Sequence, residues 1–239
     1  MRILITNDDG IESAGLRALV DWAKKHGEVS VFAPKVEQSG KSVSVELRYP
    51  FSAERVDYEG TVEAYAIGST PADCVRFAVL GLGREYDLVL SGVNRGQNLG
   101  HDINYSGTAG AVIEAAMQGI CGVAVSAGKK ALPVAVANFD RVFDYFVGRG
   151  LFSVCKTYNV NFPNSEPLGI EITRQGGVRF SDEYKPLADG TYQPHSFTCF
   201  TLTGNREIDL DAVNMGYISV TPLGWSRVDT EAFKKLRSN

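Results

Sequence analysis

The feature that most constrains the fold is an alternation of short apolar runs with helical segments over residues 1–150. The first run, residues 2–6, holds Ile3, Leu4 and Ile5 without a polar break, as is typical of a strand buried on both faces. Further strands are predicted at residues 28–34, 62–67, 86–92 and 122–126. Helices are predicted after Ser13, from Thr70-Pro71 onward and over residues 106–119. This alternation predicts an α/β fold with helices on both faces of a largely parallel sheet.

The second half of the chain is less regular. Its pattern predicts strands at residues 158–162, 169–174, 198–203 and 216–222 and a terminal helix at 229–236. We expect one domain over residues 1–239, with an α/β core at 1–130 that carries the functional site. A β-rich extension at about 155–205 precedes a C-terminal strand and helix at 206–239. Strand edges with little helical cover need a partner, so this extension is predicted to form oligomer contacts.

Composition excludes several classes of protein. Apolar residues make up 44% and charged residues 22% of the chain, as in ordinary globular domains. The net charge of −4 argues against a nucleic-acid duplex as a partner. No apolar run approaches the length of a membrane span, and no signal peptide precedes the polar turn at residue 8. Because the four cysteines are scattered, we expect free thiols in a reducing compartment, and hence a cytoplasmic protein. The lack of a long apolar run predicts that it has no membrane partner.

An acidic pair, Asp8-Asp9, follows the first predicted strand directly. Ligands of open α/β sheets bind outside the carboxyl ends of the strands, so this turn lies where chemistry is expected. Two adjacent carboxylates repel each other unless a cation neutralises them. We therefore interpret the pair as ligands of a divalent metal. The alternative is a simple turn, since Asn, Asp and Gly favour turns for local reasons.

Two further polar loops follow other strands of the same sheet. Ser39 offers a hydroxyl oxygen after the second strand, and Asn94 offers an amide oxygen after the fourth. In a parallel sheet both side chains lie at the same edge as Asp8 and Asp9. Two carboxylates and two neutral oxygens suit Mg²⁺ or Mn²⁺. No pair of His or Cys residues has the spacing of a zinc site. Taken singly, Ser39 and Asn94 are equally explained as turn residues.

Small residues at the start of the third predicted helix form a candidate phosphate site. Free N–H groups and the helix dipole at residues 106–108 favour an anion, although an ordinary N-cap explains the same residues. Asn98 and Asp102, in the preceding loop, either bind substrate or shape the loop. The candidate phosphate or substrate contacts are Asn7, Gly40, Asn98, Ser106, Gly107 and Thr108.

Four segments, taken in order, resemble the SurE family of survival-protein nucleotidases. They are ITNDDG, APKVEQSGKSVS, LVLSGVNRGQNLGHDINYSGTAGAVIEAA and GYISVTPL. The resemblance implies a three-layer α/β/α Rossmann-like mixed sheet, with C-terminal elements in dimer or tetramer contacts. It also implies a metal-dependent phosphatase acting on nucleoside 5′- and 3′-monophosphates, with one Mg²⁺ or Mn²⁺ per subunit. The implied ligands are Asp8, Asp9, Ser39 and Asn94. The chain departs from the family pattern at His101, usually acidic, and at Ala109, usually Val.

The expected mechanism is attack by a metal-activated water, with Asp8 and Asp9 as the catalytic carboxylates. A receiver-like signalling domain also places acidic residues after its first strand. That interpretation requires a phospho-accepting Asp where this chain has Asn94, and a shorter chain. A nucleotide-sensing domain without turnover uses the same groups, so it stays open as the alternative. A Rossmann-like domain with some other role is the least specific possibility.

Overall fold

The computed structural model describes residues 1–238, and a nine-stranded mixed sheet forms its centre. The strands of this sheet are β1 (Arg2–Thr6), β2 (Glu28–Pro34), β3 (Ala53–Arg55), β4 (Glu63–Ile67), β5 (Leu88–Arg95), β6 (Cys121–Ala127), β7 (Thr157–Phe162), β8 (Gly169–Ile172) and β11 (Tyr217–Pro222). Their spatial order is β3-β4-β2-β1-β5-β6-β7-β11-β8. Within this sheet the β3–β4 and β7–β11 pairs are antiparallel and the other neighbours are parallel. The carboxyl ends of β1, β2, β5 and β6 therefore share one edge.

Helices cover both faces of this sheet. They are α1 (Ala14–Ala23), α2 (Pro71–Arg76), α3 (Gly107–Met117), α4 (Leu132–Ala137), α5 (Phe139–Gly148), α6 (Leu151–Val154) and α7 (Asp209–Asn214), with a short π-helix at Phe77–Gly81 and a 3₁₀ turn at Gly100–Asn104. A further helix, α8 (Thr230–Arg237), has no buried residue. Both predicted N-caps are confirmed. The side chain of Ser13 accepts from the N–H of Leu16, and that of Thr70 accepts from the N–H of Asp73. No helix within residues 1–238 combines the length and apolarity needed to cross a membrane.

The unbroken apolar run of β1 is explained by two separate cores. Ile3 and Ile5 point to one face, where they join the core that includes α1 and α5. Leu4 points to the opposite face and packs with residues of α2 and α3. Because successive strand residues alternate between faces, burial on both sides requires apolar residues at every position. The predicted three-layer α/β/α arrangement is confirmed.

Two predicted strands differ from the observed strands by three residues or more at one or both ends. β5 runs to Arg95, so Asn94 belongs to the strand rather than to the loop after it. The register between β5 and β6 shifts between Ser91 and Asn94, and this irregularity lets the strand continue past Gly92. The strand predicted at residues 198–203 instead ends at Thr198, since it is the second arm of a hairpin that begins earlier.

That hairpin is formed by β9 (Phe180–Pro186) and β10 (Tyr192–Thr198), which pair as a separate two-stranded sheet. Its turn contains Asp189-Gly190, a dipeptide typical of hairpin turns, and the N–H of Leu187 donates to the carbonyl of Thr191. Within the predicted extension at 155–205, β7 and β8 thus belong to the main sheet, and the hairpin stands apart from it. The helices α4, α5, α6 and α7 were missing from the predicted pattern.

Candidate active site

One cleft of about 700 Å³ lies at the carboxyl edge of the sheet and brings together all four predicted metal ligands. The turn after β1 supplies Asp8 and Asp9, and β5 supplies Asn94. Ser39 comes from the loop after β2. The position of these residues follows from the parallel order of β2, β1 and β5, which places their carboxyl ends side by side.

Asp8 is buried and held by the first turn of α3. Its Oδ1 accepts from the Thr108 hydroxyl at 2.6 Å, and its Oδ2 accepts from the Thr108 N–H at 3.1 Å. Burial raises the pKa of Asp8 to about 6, against the lowering effect of the Thr108 hydroxyl, and the neighbouring charge of Asp9 raises it further. The ionised carboxylate is therefore destabilised in this site, and a cation would favour it.

Asp9 is also held by backbone. Its Oδ2 accepts from the N–H of Arg95 at 2.9 Å, which ties the acidic turn to the end of β5. Burial raises the pKa of Asp9, and the charge of Glu37 adds to this effect. Three carboxylates thus line the cleft near one another, since Glu37 faces it as well.

The two neutral candidates are oriented by short local hydrogen bonds. The Asn94 amide nitrogen donates to the carbonyl of Gly96 at 2.8 Å, which leaves the amide oxygen as the free acceptor. The Ser39 hydroxyl donates to Glu37 at 2.7 Å, so its oxygen lone pairs remain available. The amide oxygen of Asn94 and the hydroxyl oxygen of Ser39 therefore both have lone pairs available for a metal ion.

This donor set fits a hard divalent cation. Carboxylate, amide and hydroxyl oxygens are the protein ligands of Mg²⁺ and Mn²⁺. Within residues 1–238 no group of three or more His, Cys, Asp and Glu side chains has a metal-binding arrangement, as expected where neutral oxygens complete the ligand set. The raised pKa values of Asp8 and Asp9 support the same fit, because buried carboxylates with negatively charged neighbours require a compensating charge to stay ionised.

Close packing brings the start of α3 against the acidic turn. Ser106 is the N-cap, and its hydroxyl accepts from the N–H of Ala109 at 3.1 Å. A Cβ on Gly107 would lie 2.9 Å from the Cβ of Asp8 and 3.2 Å from the carbonyl oxygen of Gln38. Glycine is therefore required for α3 to approach the β1 turn this closely.

The six predicted phosphate or substrate contacts divide into two groups. Gly40, Asn98 and Ser106 line the cleft, whereas Asn7, Gly107 and Thr108 are buried and do not line it. The Asn7 amide nitrogen donates to the carbonyl of Gly10 at 2.9 Å, so its observed role is to shape the turn. The N–H and the hydroxyl of Thr108 both donate hydrogen bonds to the Asp8 carboxylate. Phosphate contacts from this second group stay a prediction.

Asn98 is fixed in the cleft by an amide network. Its side-chain nitrogen donates to the Ser126 hydroxyl at 2.9 Å, and its N–H donates to the side-chain oxygen of Asn161 at 2.8 Å. Its carbonyl accepts from the side chains of Asn159 and Asn161. The loop after β5 is therefore tied to β6 and β7, which keeps the wall of the cleft rigid.

One wall of the cleft was absent from the sequence-based prediction. The residues from the β9–β10 hairpin and the segment before it are Val178, Arg179, Phe180, Asp182 and Ser196. The Arg179 guanidinium donates to the carbonyl of Gln97 at 2.7 Å and lies 3.8 Å from Asp102. Lys129 and His101 also line the cleft. A lone arginine between two strands carries little signal in a sequence, so only the fold reveals this wall.

In sequence and in fold the chain is similar to the proteins of one family. The family model described as "Survival protein SurE" matches residues 3–182. The chain is 39% identical to "5′-nucleotidase SurE 1" of Thermus thermophilus over 93% of this chain and 91% of that protein. It is 37% identical to "5′-nucleotidase SurE" of Thermococcus gammatolerans, covering 100% and 95% of the two chains. The crystal structure of the SurE protein from Aquifex aeolicus superposes with a TM-score of 0.80 at 31% identity, covering 100% of this chain and 99% of that one. The chain belongs to the SurE family of survival proteins.

Proposed function

We propose that this protein is a phosphatase that depends on a divalent metal and hydrolyses nucleoside 5′- and 3′-monophosphates to nucleoside and phosphate. The observation that carries the proposal is the convergence of Asp8, Asp9, Ser39 and Asn94 in one cleft beside the start of α3. The relatives from Thermus thermophilus and Thermococcus gammatolerans, both named 5′-nucleotidases, support the same activity.

The proposed ligands of one Mg²⁺ or Mn²⁺ per subunit are Asp8, Asp9, Ser39 and Asn94. When bound, such an ion neutralises phosphate charge and lowers the pKa of a bound water. Asp8 and Asp9 are each anchored by hydrogen bonds, from Thr108 and from the Arg95 N–H respectively, so little reorganisation is needed. One of the two carboxylates orients the attacking water.

Phosphate oxygens are proposed to bind at the start of α3. Ser106 faces the cleft there, and the helix dipole favours an anion at this end of an 11-residue helix. Asn98 and Gly40 face the same space from neighbouring loops. The neutral and backbone donors position the substrate, while charge neutralisation comes from the metal, as in other phosphoryl-transfer sites.

A nucleotide-sensing domain without turnover is the competing proposal, because it requires the same ligands. The two are separated by phosphate release from AMP in the presence of Mn²⁺. We expect inorganic phosphate to accumulate, activity to disappear on treatment with EDTA, and Mn²⁺ or Mg²⁺ to restore it. Binding of AMP without phosphate release would favour the sensor. Full activity after thorough chelation would contradict the metal-dependent mechanism.

We also propose that the protein is a cytoplasmic homodimer or homotetramer in which the β9–β10 hairpin contributes to the contact. The hairpin exposes apolar and aromatic side chains, namely Tyr184, Leu187, Tyr192 and Phe197. An exposed two-stranded ribbon of this kind is marginal by itself and gains stability when covered. Light scattering at micromolar concentration is expected to give at least twice the monomer mass of 25.9 kDa. A monomer under these conditions would exclude the proposed assembly.

A further inference from the structure

The catalytic cleft has an apolar side that the proposed metal and phosphate contacts do not use. Tyr105, Val178 and Phe180 line the same cleft as Asp8 and Asp9, and all three residues are exposed. Two exposed aromatic rings in a cleft full of carboxylates need an explanation, because aromatic residues are ordinarily buried. The phosphate of a substrate accounts for the polar side alone.

Tyr105 is fixed through its backbone, next to the start of α3. Its N–H donates to the carbonyl of Asp102 at 3.0 Å, and its own carbonyl accepts from the N–H of Ser42 at 3.0 Å. The residue is 67% exposed and directly precedes Ser106. The ring is therefore presented to the cleft beside the proposed phosphate contacts.

Phe180 comes from the opposite wall, at the first position of β9. The Arg179 guanidinium lies 4.9 Å from the centre of its ring and is itself held by a hydrogen bond to the carbonyl of Gln97. Arg179 lines the same cleft, and its contact restrains the Phe180 ring, while 36% of the residue stays exposed. Phe180 is thus held in position and partly open to the cleft.

We propose that Tyr105 and Phe180 bind the nucleobase of the substrate by stacking. The inference rests on the proposed phosphatase function and assigns its preference for nucleotides over other phosphomonoesters. A planar base has a π-face whatever its identity, so stacking selects for the presence of a base rather than for its hydrogen-bonding pattern. Both rings are specificity-determining residues and take no part in bond cleavage.

The test compares AMP with ribose 5-phosphate, which has the same reacting group and no base. The quantity measured is the ratio of kcat/KM for AMP to kcat/KM for ribose 5-phosphate with Mn²⁺. We expect Tyr105→Leu and Phe180→Leu each to lower this ratio by about 10-fold, since Leu keeps an apolar side chain but removes the aromatic face. Tyr105→Phe keeps the aromatic ring and is expected to have the same ratio as the wild-type protein.

The matched control is Tyr49→Leu, because Tyr49 is an exposed tyrosine that does not line the cleft. It is expected to leave the ratio unchanged. Equal losses on both substrates, or an unchanged ratio in both Leu variants, would overturn the stacking subsite.

A titration with adenosine in the presence of EDTA tests the subsite independently of turnover. We expect calorimetry to detect adenosine binding that Tyr105→Leu and Phe180→Leu weaken by about 10-fold. If the wild-type protein releases no phosphate from either ester, the proposed function fails while this titration still decides the subsite. Absence of adenosine binding by the wild-type protein, or equal binding by the Leu variants, would refute it.

Discussion

Replacing Asp9 with Asn is expected to lower phosphate release from AMP by at least ~100-fold, equivalent to ~2.7 kcal/mol of transition-state stabilisation. The substitution keeps the side-chain volume and leaves an oxygen that can still accept from the Arg95 N–H. It removes one unit of negative charge from the proposed metal site. Charge stabilisation by a bound metal is worth several kcal/mol, so even partial loss of the ion has a large effect.

The same Asp9→Asn variant is expected to be at least as stable as the wild-type protein when both are free of metal. Burial and the charge of Glu37 raise the pKa of Asp9. At pH values above the ordinary pKa of an Asp, the ionised Asp9 therefore lowers the stability of the folded protein. Asn removes that cost. Melting temperatures with EDTA measure this half of the prediction, and a much lower value in the variant would contradict it.

Asp144→Asn is the matched control, because Asp144 is exposed on α5 and the charge change is identical. It is expected to retain wild-type turnover. If Asp9→Asn hydrolyses AMP as fast as this control, Asp8 and Asp9 are only turn residues and the proposed catalytic role is wrong.

Replacing Gly110 with Ala is expected to lower both stability and activity. A Cβ at this position would lie 2.0 Å from the carbonyl oxygen of Ser42, a backbone atom that cannot move aside by a rotamer change. The loop of Ser42 is pinned to the Asn104 carbonyl and carries Ser39. Overpacking of this kind costs about 1–3 kcal/mol, more than the ~1 kcal/mol that Ala gains over Gly in a helix. Thermal denaturation and AMP hydrolysis measure the two effects.

Gly148→Ala is the control, and its expected effect on stability is the opposite of that of Gly110→Ala. Gly148 ends α5, and a Cβ added at this residue would have no neighbouring atom within 4 Å. Only the helix-propensity gain remains, so the variant is expected to melt at the same temperature or slightly higher, with unchanged activity. A Gly110→Ala protein that behaves like Gly148→Ala would show that α3 does not fix the Ser39 loop.

Most of the sheet was predictable, because the apolar pattern of each strand matches the burial of that strand in the fold. The apolar run of β1 and the caps at Ser13 and Thr70 carry their signals within a few residues. The boundary of β5 was not predictable, since the shift between Ser91 and Asn94 depends on pairing with β6. The start of β10 was missed because the hairpin is exposed and lacks a buried face with alternating apolar residues.

The proposed ligands could be inferred from the sequence, whereas the wall opposite them could not. Asp8, Asp9, Ser39 and Asn94 each lie at or after the carboxyl end of a strand of a parallel sheet, so topology alone predicts that they meet. Arg179 and Phe180 reach the cleft through a distant hairpin, and no local pattern links them to the acidic pair. The contacts between Thr108 and Asp8 could not be predicted either, because they depend on how α3 docks on β1.

The most direct test of the central claim is a titration with Mn²⁺ followed by electron paramagnetic resonance. The signal of free Mn²⁺ decreases as the protein binds the ion, so the titration gives the number of bound ions and their affinity. Wild-type protein and Asp144→Asn are expected to bind one Mn²⁺ per chain, and Asp9→Asn is expected to bind it at least ~10-fold more weakly. Equal affinity in Asp9→Asn, or AMP hydrolysis by a wild-type protein that binds no Mn²⁺ or Mg²⁺, would contradict the assignment of the metal site.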